Sequence, residues 1–423
     1  MSAEALRIAL LTYRGNPRSG GQGIYVRQLS RELASLGHKV DVWSGPPYPE
    51  LVDEVSLVKV PSLDLWNEKA FFRFPTIQEL KDPINVSEYA QTVTGGFPEP
   101  FTFAQRVARS LSQVNGHGPR YDVLHDNQTL GPALLPLASQ MPLVATIHHP
   151  VTRDRRIALE SADTIRTRYG LLRWYTFLPK QLRVSRALDR VMTVSEASKT
   201  DLQGEYGIEG DRIRVVGIGI DTGVFHPYPE VQREDELLAC TLSADSPIKG
   251  FVYLLEALAI LRRDRPNLRL EAVGSPGRKT NTAGHLQRLG LEQAVTFTGK
   301  VEADDIARLY ARATLAVVPS LYEGFGLPAG EAMACEVPLV ATTGGALPEV
   351  VGRDGKAGLL VEPGSGPELA RAIGELLDAP ERRREMGEHG RQRVESLFTW
   401  RRAAERRVEI YREAIAERKA SPC

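Results

Sequence analysis

Short apolar runs rich in β-branched residues recur along the chain, and each is followed by a turn and, in most cases, by a stretch of helical periodicity. A first series covers residues 7–13, 39–45, 57–60, 122–125, 143–148, 190–194 and 212–216. A second covers residues 237–242, 268–273, 295–298, 315–318, 339–342 and 358–361. Runs this short and this continuously apolar read as parallel strands buried on both faces, and strands alternating with helices imply doubly wound sheets. Two series imply two Rossmann-like α/β domains. The Gly- and Pro-rich stretch GIGIDTGVFHPYPE, residues 217–230, is the natural linker between them.

The second series carries the most informative segment, LAVVPSLYEGFGLPAGE, residues 315–331. A strand opens through a glycine-bearing loop into a helix whose first turn holds Pro328, where a missing N–H costs nothing. Unpaired amides at such a helix start, those of Gly326 and Leu327 among them, point at a phosphate beyond the carboxyl end of the strand. Glu323 and Glu331 flank that site. Carboxylates beside an anion repel it, so their partners are sought among sugar and ribose hydroxyls. A second turn of the same kind, ATTGGALPEVV, follows the next strand, and Lys249 sits in a loop after the strand at 237–242, placed either to clamp a phosphate or to face solvent at a helix start.

In the first half, RGNPRSGGQG joins the opening strand to an amphipathic helix, and His148 ends the strand at 143–148. The glycines Gly20, Gly21 and Gly23 suit a tight turn or a phosphate cradle equally. Their spacing departs from the dinucleotide fingerprint, and no clear acidic residue ends the second strand, which argues against an NAD enzyme. Asp126 and Asn127 are candidates to face an acceptor, with an Asx turn as the alternative. Asp304 and Asp305 resemble a metal pair but sit where a helix N-cap belongs, so no metal is expected.

Composition narrows the class without changing this picture. The 423 residues are 42% hydrophobic and 25% charged, and 53 basic side chains balance 53 acidic ones, so nothing in the global charge favours nucleic acid. Cys240, Cys335 and Cys423 have neither disulfide nor metal spacing, which favours a reducing compartment, and a cytoplasmic protein is expected. No secretory leader is expected in MSAEALRIALLTYRG, and no apolar run reaches the ~18 residues of a spanning helix. Two local anomalies stand out. Residues 63–103 hold eight aromatics, which suits a helical insertion with its own small core or a wall that stacks on an acceptor. Residues 153–190 hold ten basic against four acidic side chains, with Trp174, Tyr175 and Phe177 among them. That pattern suits a solvated helix face, a phosphorylated acceptor or an anionic membrane surface at the inner face of a membrane.

Taken together, GGQG near the start, the strand-ending His148, the Lys249-Gly250 pair, the E-x7-E carboxylates of EGFGLPAGE, the TTGGALPEVV turn and FTW before the last helix resemble the retaining nucleotide-sugar glycosyltransferases of glycosyltransferase family four. The resemblance spans nearly the whole chain, and EGFGLPAGE is its most specific part. It implies the GT-B fold: two Rossmann-like domains with parallel sheets facing across a cleft, and a C-terminal helix returning to the first domain. The domains would be residues 1–222 with 400–423 on the acceptor side, and 223–399 on the nucleotide-sugar donor side. It implies a glycosyltransferase, hexosyl transfer being expected, that moves sugar from a nucleotide-diphosphate-sugar to a hydroxyl acceptor (glycan, lipid or small molecule) by front-face attack, with no metal and no bound cofactor. Glu331 would hold the donor ribose, Glu323 the transferred sugar, and the amides of Phe325, Gly326 and Leu327 the pyrophosphate. Lys249 would balance its charge, Gly20 and Gly21 would let the first loop approach the phosphate, His148 would reach the sugar, and Val301 would lie near the base. The family's arginine five or six residues before the lysine is replaced by Ser243 and Ala244, so Arg14 or Arg18 is a candidate substitute. A nucleotide-sugar epimerase and a non-catalytic sugar-nucleotide binder are the rival readings.

Overall fold

The computed structural model describes residues 4–16, 21–66, 72–113, 121–160, 162, 164–188, 190–242, 246–277 and 280–420. The chain divides into two units: residues 1–194, 198–216 and 403–423 form unit 1, and residues 195–197 with 217–402 form unit 2.

Unit 1 is built on a seven-stranded parallel sheet. Its strands are β1 (Arg7–Thr12), β2 (Lys39–Ser44), β3 (Ser56–Lys59), β4 (Val123–Asn127), β5 (Leu143–Ile147), β6 (Arg190–Thr193) and β7 (Ile213–Val215), in the order 3-2-1-4-5-6-7. The helices are α1 (Gln22–Ser35), α2 (Pro83–Val93), α3 (Glu99–Gln113), α4 (Val151–Glu160), α5 (Ile165–Trp174), α6 (Leu178–Ala187) and, from Ser198 on, α7 (Glu196–Asp201), with most of the last helix of the chain. Strands β1, β4 and β5 are buried on both faces, which is why β1 and β5 read as apolar runs without alternation, while β4 carries buried His125, Asp126 and Asn127 at its carboxyl end. The aromatic insertion divides by depth. Phe103 joins the main core, whereas Phe97 stacks on Trp174 at 4.8 Å and meets Phe177 and Tyr13 edge-on. Phe71 lies outside the described residues. Between α2 and α3, Glu88 and Arg106 form a buried ion pair at 2.6 Å, and Glu88 also accepts the Leu63 amide at 3.0 Å, so the insertion is pinned by charge as well as by apolar packing.

Unit 2 has a six-stranded parallel sheet: β8 (Leu237–Thr241), β9 (Arg269–Val273), β10 (Val295–Phe297), β11 (Leu315–Val318), β12 (Leu339–Thr342) and β13 (Leu359–Val361), in the order 10-9-8-11-12-13. Its helices are α8 (Phe251–Leu261), α9 (Thr282–Leu289), α10 (Ala303–Arg312), α11 (Leu327–Ala334), α12 (Leu347–Val351), α13 (Gly366–Leu377) and α14 (Pro380–Leu397). At the α10 start, Asp305 accepts the Glu302 amide at 3.3 Å, a capping duty. The last helix, α15 (Trp400–Ala420), delivers Ala404, Val408 and Tyr411 into the core of unit 1, as its apolar face requires.

In both sheets the strand order reverses once, between β1 and β4 in unit 1 and between β8 and β11 in unit 2. Connections leave in opposite directions at such a point and open a crevice beyond the carboxyl ends of the strands, where ligands bind in open α/β sheets. Gly21 and Asn127 flank the first crevice; Lys249 and Glu323 flank the second.

Candidate active site

In unit 2 the loop after β11 and the loop after β8 are joined at the crevice. Lys249 Nζ lies 2.9 Å from Glu323 Oε1, and Ser320 Oγ donates to the same oxygen at 2.7 Å. The pair is largely shielded from water, with 18% and 10% of the two side chains exposed. Oε2 of Glu323 takes no hydrogen bond among the described residues, so one carboxylate oxygen is anchored and the other is open to a hydroxyl.

Backbone packing sets this geometry. Gly250, at φ 64°, follows the lysine, and a Cβ there would stand 2.0 Å from the Pro319 carbonyl oxygen. The Leu321 amide also donates to the Ile248 carbonyl at 2.7 Å, so the two loops close on each other through glycine. From the other side the Gly344-Gly345 turn packs onto the same loop. Glu323 and Gly345 form a parallel bridge, Ala346 N donates to Glu323 O at 2.9 Å, and a Cβ on Gly345 would lie 2.2 Å from that carbonyl. Substituting Gly250 by Ala combines a left-handed backbone with a steric clash, and is expected to cost unit 2 about 3 kcal/mol, read as a lower denaturant midpoint.

The GFGLP loop ends at Gly326, φ 103°, which caps α11 without any side-chain hydrogen bond, and Pro328 occupies its first turn. The amides of Phe325, Gly326 and Leu327 find no acceptor among the described residues. They are therefore the orphan donors of a helix start, with the positive end of the helix dipole behind them. The Phe325 ring is buried edge-on against Phe398 at 5.7 Å, which fixes the loop. In the second turn of α11, Glu331 is half-buried near Tyr310 and Cys335, its carboxyl has no hydrogen-bond partner among the described residues, and burial pushes that carboxyl up to about 7. Val301 lies half-buried just past the Gly274–Gly299 bridge, at the carboxyl ends of β9 and β10.

In unit 1 the corresponding crevice is lined by polar groups that hold one another. His148 Nε2 lies 2.7 Å from Asn127 Oδ1, its amide donates to Gln128 Oε1 at 2.8 Å, and its ring meets Tyr25 edge-on at 4.6 Å. Burial, with the nearby charges of His149 and Arg407, pushes the His148 ring down to about 3. The imidazole is neutral throughout the range in which enzymes work, so the pH–rate profile is expected to show no limb from His148, and His148→Asn should lower turnover about tenfold while leaving the shape of that profile unchanged. Gly21 sits at φ 72° before α1, where a Cβ would meet nothing within 4 Å, so that position is open as well as left-handed. Gly20 lies outside the described residues.

Asp126 and Asn127 belong to β4, which runs two residues further than the sequence pattern predicts. Asp126 accepts the amides of Thr129 and Leu130 at 3.1 and 2.7 Å and is buried; it makes the Asx-type turn, and its carboxylate is spent on the backbone. Asn127 orients His148. Arg14 is held by Glu99 through two hydrogen bonds of 2.6 and 2.7 Å, so its guanidinium already has a carboxylate partner within unit 1. Arg18, Ser243 and Ala244 lie outside the described residues. Ser320, Gln128 and Tyr25 escaped sequence reasoning. Ser320 had a signal, a hydroxyl three residues before Glu323 at a strand end, whereas Tyr25 reads as an ordinary core position of α1. Among the described residues, no group of three metal-ligating side chains converges.

Comparison with known proteins identifies the family. Residues 19–224 match the family model described as Glycosyltransferase Family 4, and residues 227–393 match that described as Glycosyl transferases group 1. The MMP alpha-(1->4)-mannosyltransferase of Mycolicibacterium hassiacum is 45% identical over 413 residues, covering 97% of this chain and 99% of that protein. A D-inositol 3-phosphate glycosyltransferase of Acidothermus cellulolyticus is 30% identical over 441 residues, covering 98% and 92%. The structure of sucrose-phosphate synthase from Thermosynechococcus elongatus superposes with a TM-score of 0.73 at 25% identity, covering 97% of this chain and 100% of that one. With two parallel α/β sheets, family models matched over both halves and relatives matched end to end, the chain belongs to glycosyltransferase family 4 and has the GT-B fold.

Proposed function

We propose that this enzyme transfers a mannosyl residue from a nucleoside-diphosphate mannose, with retention of anomeric configuration, to the 4-hydroxyl of an acceptor sugar. Unit 2 takes the donor and unit 1 the acceptor. The observation that carries the donor reading is the pairing, within one crevice, of orphan amides at the start of α11 with Lys249 and two carboxylates that keep open oxygens. Mannose and the 4-position rest on the 45% identity to the alpha-(1->4)-mannosyltransferase.

In this reading the α11 amides and Lys249 neutralise the pyrophosphate as it departs, electrostatic work for donors aimed in advance. Glu323 Oε2 and Glu331 accept hydroxyls of the sugar and the ribose respectively. Both carboxylates thus read hydroxyls, and a two-carboxylate glycosidase scheme has no vacancy for either. The bond from the anomeric carbon to the phosphate oxygen breaks, the acceptor oxygen bonds to that carbon on the same face, and its proton passes to the departing phosphate. His148, neutral, reads the sugar through its ring or backbone and takes no proton. The test is incubation of labelled mannose donors of UDP, GDP and ADP with an α-(1→4)-linked mannose oligosaccharide, following the product by NMR. An α-linked product from one donor supports the proposal. A β-linked product overturns retention, and isomerisation of the donor without acceptor overturns transfer.

A further inference from the structure

Helix α5 has no buried residue, although it carries Ile165, Tyr169, Leu171, Leu172 and Trp174. Ile165, Tyr169 and Leu172 are 89%, 71% and 42% exposed. At about 100° per residue, the spacing i, i+4, i+7 gathers these three into one narrow stripe about 10 Å long. Arg166 and Arg173 fall along one border of that stripe and Arg168 along the other. Arg173 is tied down by Thr94 and Thr176, at 2.6 and 3.0 Å, which leaves Arg166 and Arg168 as the outward charges.

Beside the stripe, α4 and α5 enclose an open recess of about 340 Å³ lined by Thr152, Arg155, Arg156, Leu159, Glu160 and Arg168. Arg156 is paired with Glu205 at 3.2 Å. Arg155 is different: its Nε is buried without a hydrogen-bond partner among the described residues. Arg155 lines the recess together with exposed Arg168, and neither guanidinium has a carboxylate partner among the described residues, so the recess suits an oxyanion, although Glu160 at the rim opposes one. Apolar residues bordered by arginines, next to a recess that takes a phosphate, match the surface of an anionic bilayer. The stripe would enter the acyl boundary while the arginines meet headgroups. A soluble polyanion has no use for Ile165 and Leu172. A second copy docked on the same face would set these arginines against themselves.

From this we infer that the α4–α5 hairpin docks unit 1 onto an anionic lipid bilayer, Ile165, Tyr169 and Leu172 inserting while Arg155 and Arg168 hold a lipid phosphate. The test is co-sedimentation of the full chain with vesicles of phosphatidylcholine alone and of phosphatidylcholine mixed with phosphatidylglycerol. Binding to the mixed vesicles only, weakened by salt, is expected. Both the Arg155→Gln/Arg168→Gln double variant and the Ile165→Ser/Leu172→Ser double variant should lower the association constant at least ~10-fold, while transfer to a soluble acceptor stays at the parental rate. Equal partition to both vesicle types, no sedimentation with either, or variants that bind like the parent would each overturn the inference. Complete displacement by inorganic phosphate at constant ionic strength would also overturn it, since the recess would then be a site for a free anion.

Discussion

Replacing Glu331 by Ala is expected to lower kcat/KM for the donor about 100-fold, with the melting curve shifted little or upward. The magnitude follows from losing hydrogen bonds from two ribose hydroxyls to a charged acceptor, each contributing about 1.5 kcal/mol or more. The stability expectation follows from charge burial. Folding raises this carboxyl from its ordinary value to about 7, so the folded protein holds a proton that the unfolded chain has released between roughly pH 4.5 and 7. Across that window the contribution of Glu331 to stability declines as pH rises, and removing the group removes the decline. A diol donating two hydrogen bonds favours the ionised form, so donor affinity should climb as pH passes upward through about 7 and a proton should be released on binding. Glu331→Gln should abolish both effects. Calorimetry in buffers of different ionisation enthalpy measures the proton; an unchanged pH dependence in the Gln variant would remove Glu331 from the donor site.

Replacing Lys249 by Ala is expected to have two separable effects. The buried Glu323 carboxylate would lose its cation, a change that costs about 3 kcal/mol because an uncompensated charge remains in a shielded place. Turnover should also fall by roughly two to three orders of magnitude, as expected when a pre-aimed charge is taken from a departing pyrophosphate. Adding Glu323→Gln separates them. The double variant should regain most of the lost stability, since no ion is left unpaired, yet stay as slow as either single variant or slower. Urea denaturation and initial rates on the same four proteins complete the cycle. Recovery of activity together with stability would mean that Lys249 serves Glu323 alone.

Both sheets could be read from the chain because their strands are buried on two faces, and runs such as LAVV in β11 and LVAT in β12 leave no other interpretation at that length. The EGFGLPAGE segment was legible for a related reason: glycine, proline and carboxylate are fixed there by local backbone geometry, which sequence spacing records. What stayed hidden are pairings set by strand order. Lys249 meets Glu323 only because β8 and β11 are neighbours, and Arg14 meets Glu99 across 85 residues. The second pairing bears on chemistry, since it gives a carboxylate partner to the arginine that the glycine loop offered as a substitute cation. Asp126 shows the opposite case. Its turn was one of two readings, and only the amides of Thr129 and Leu130 distinguish them.

The Gly344-Gly345 turn stitched to the backbone of Glu323 bears on how donor binding should proceed in time. A loop that must be gathered around its ligand loses conformational freedom at the moment of association, and that loss weakens affinity and slows capture. Here the bridge to Gly345, the Ala346 hydrogen bond and the clasp of Gly250 on Pro319 complete the ordering of the 319–323 segment when unit 2 folds. On the proposed donor reading, capture of the nucleotide by this segment resembles a key entering a finished lock, with an encounter rate set by diffusion and charge.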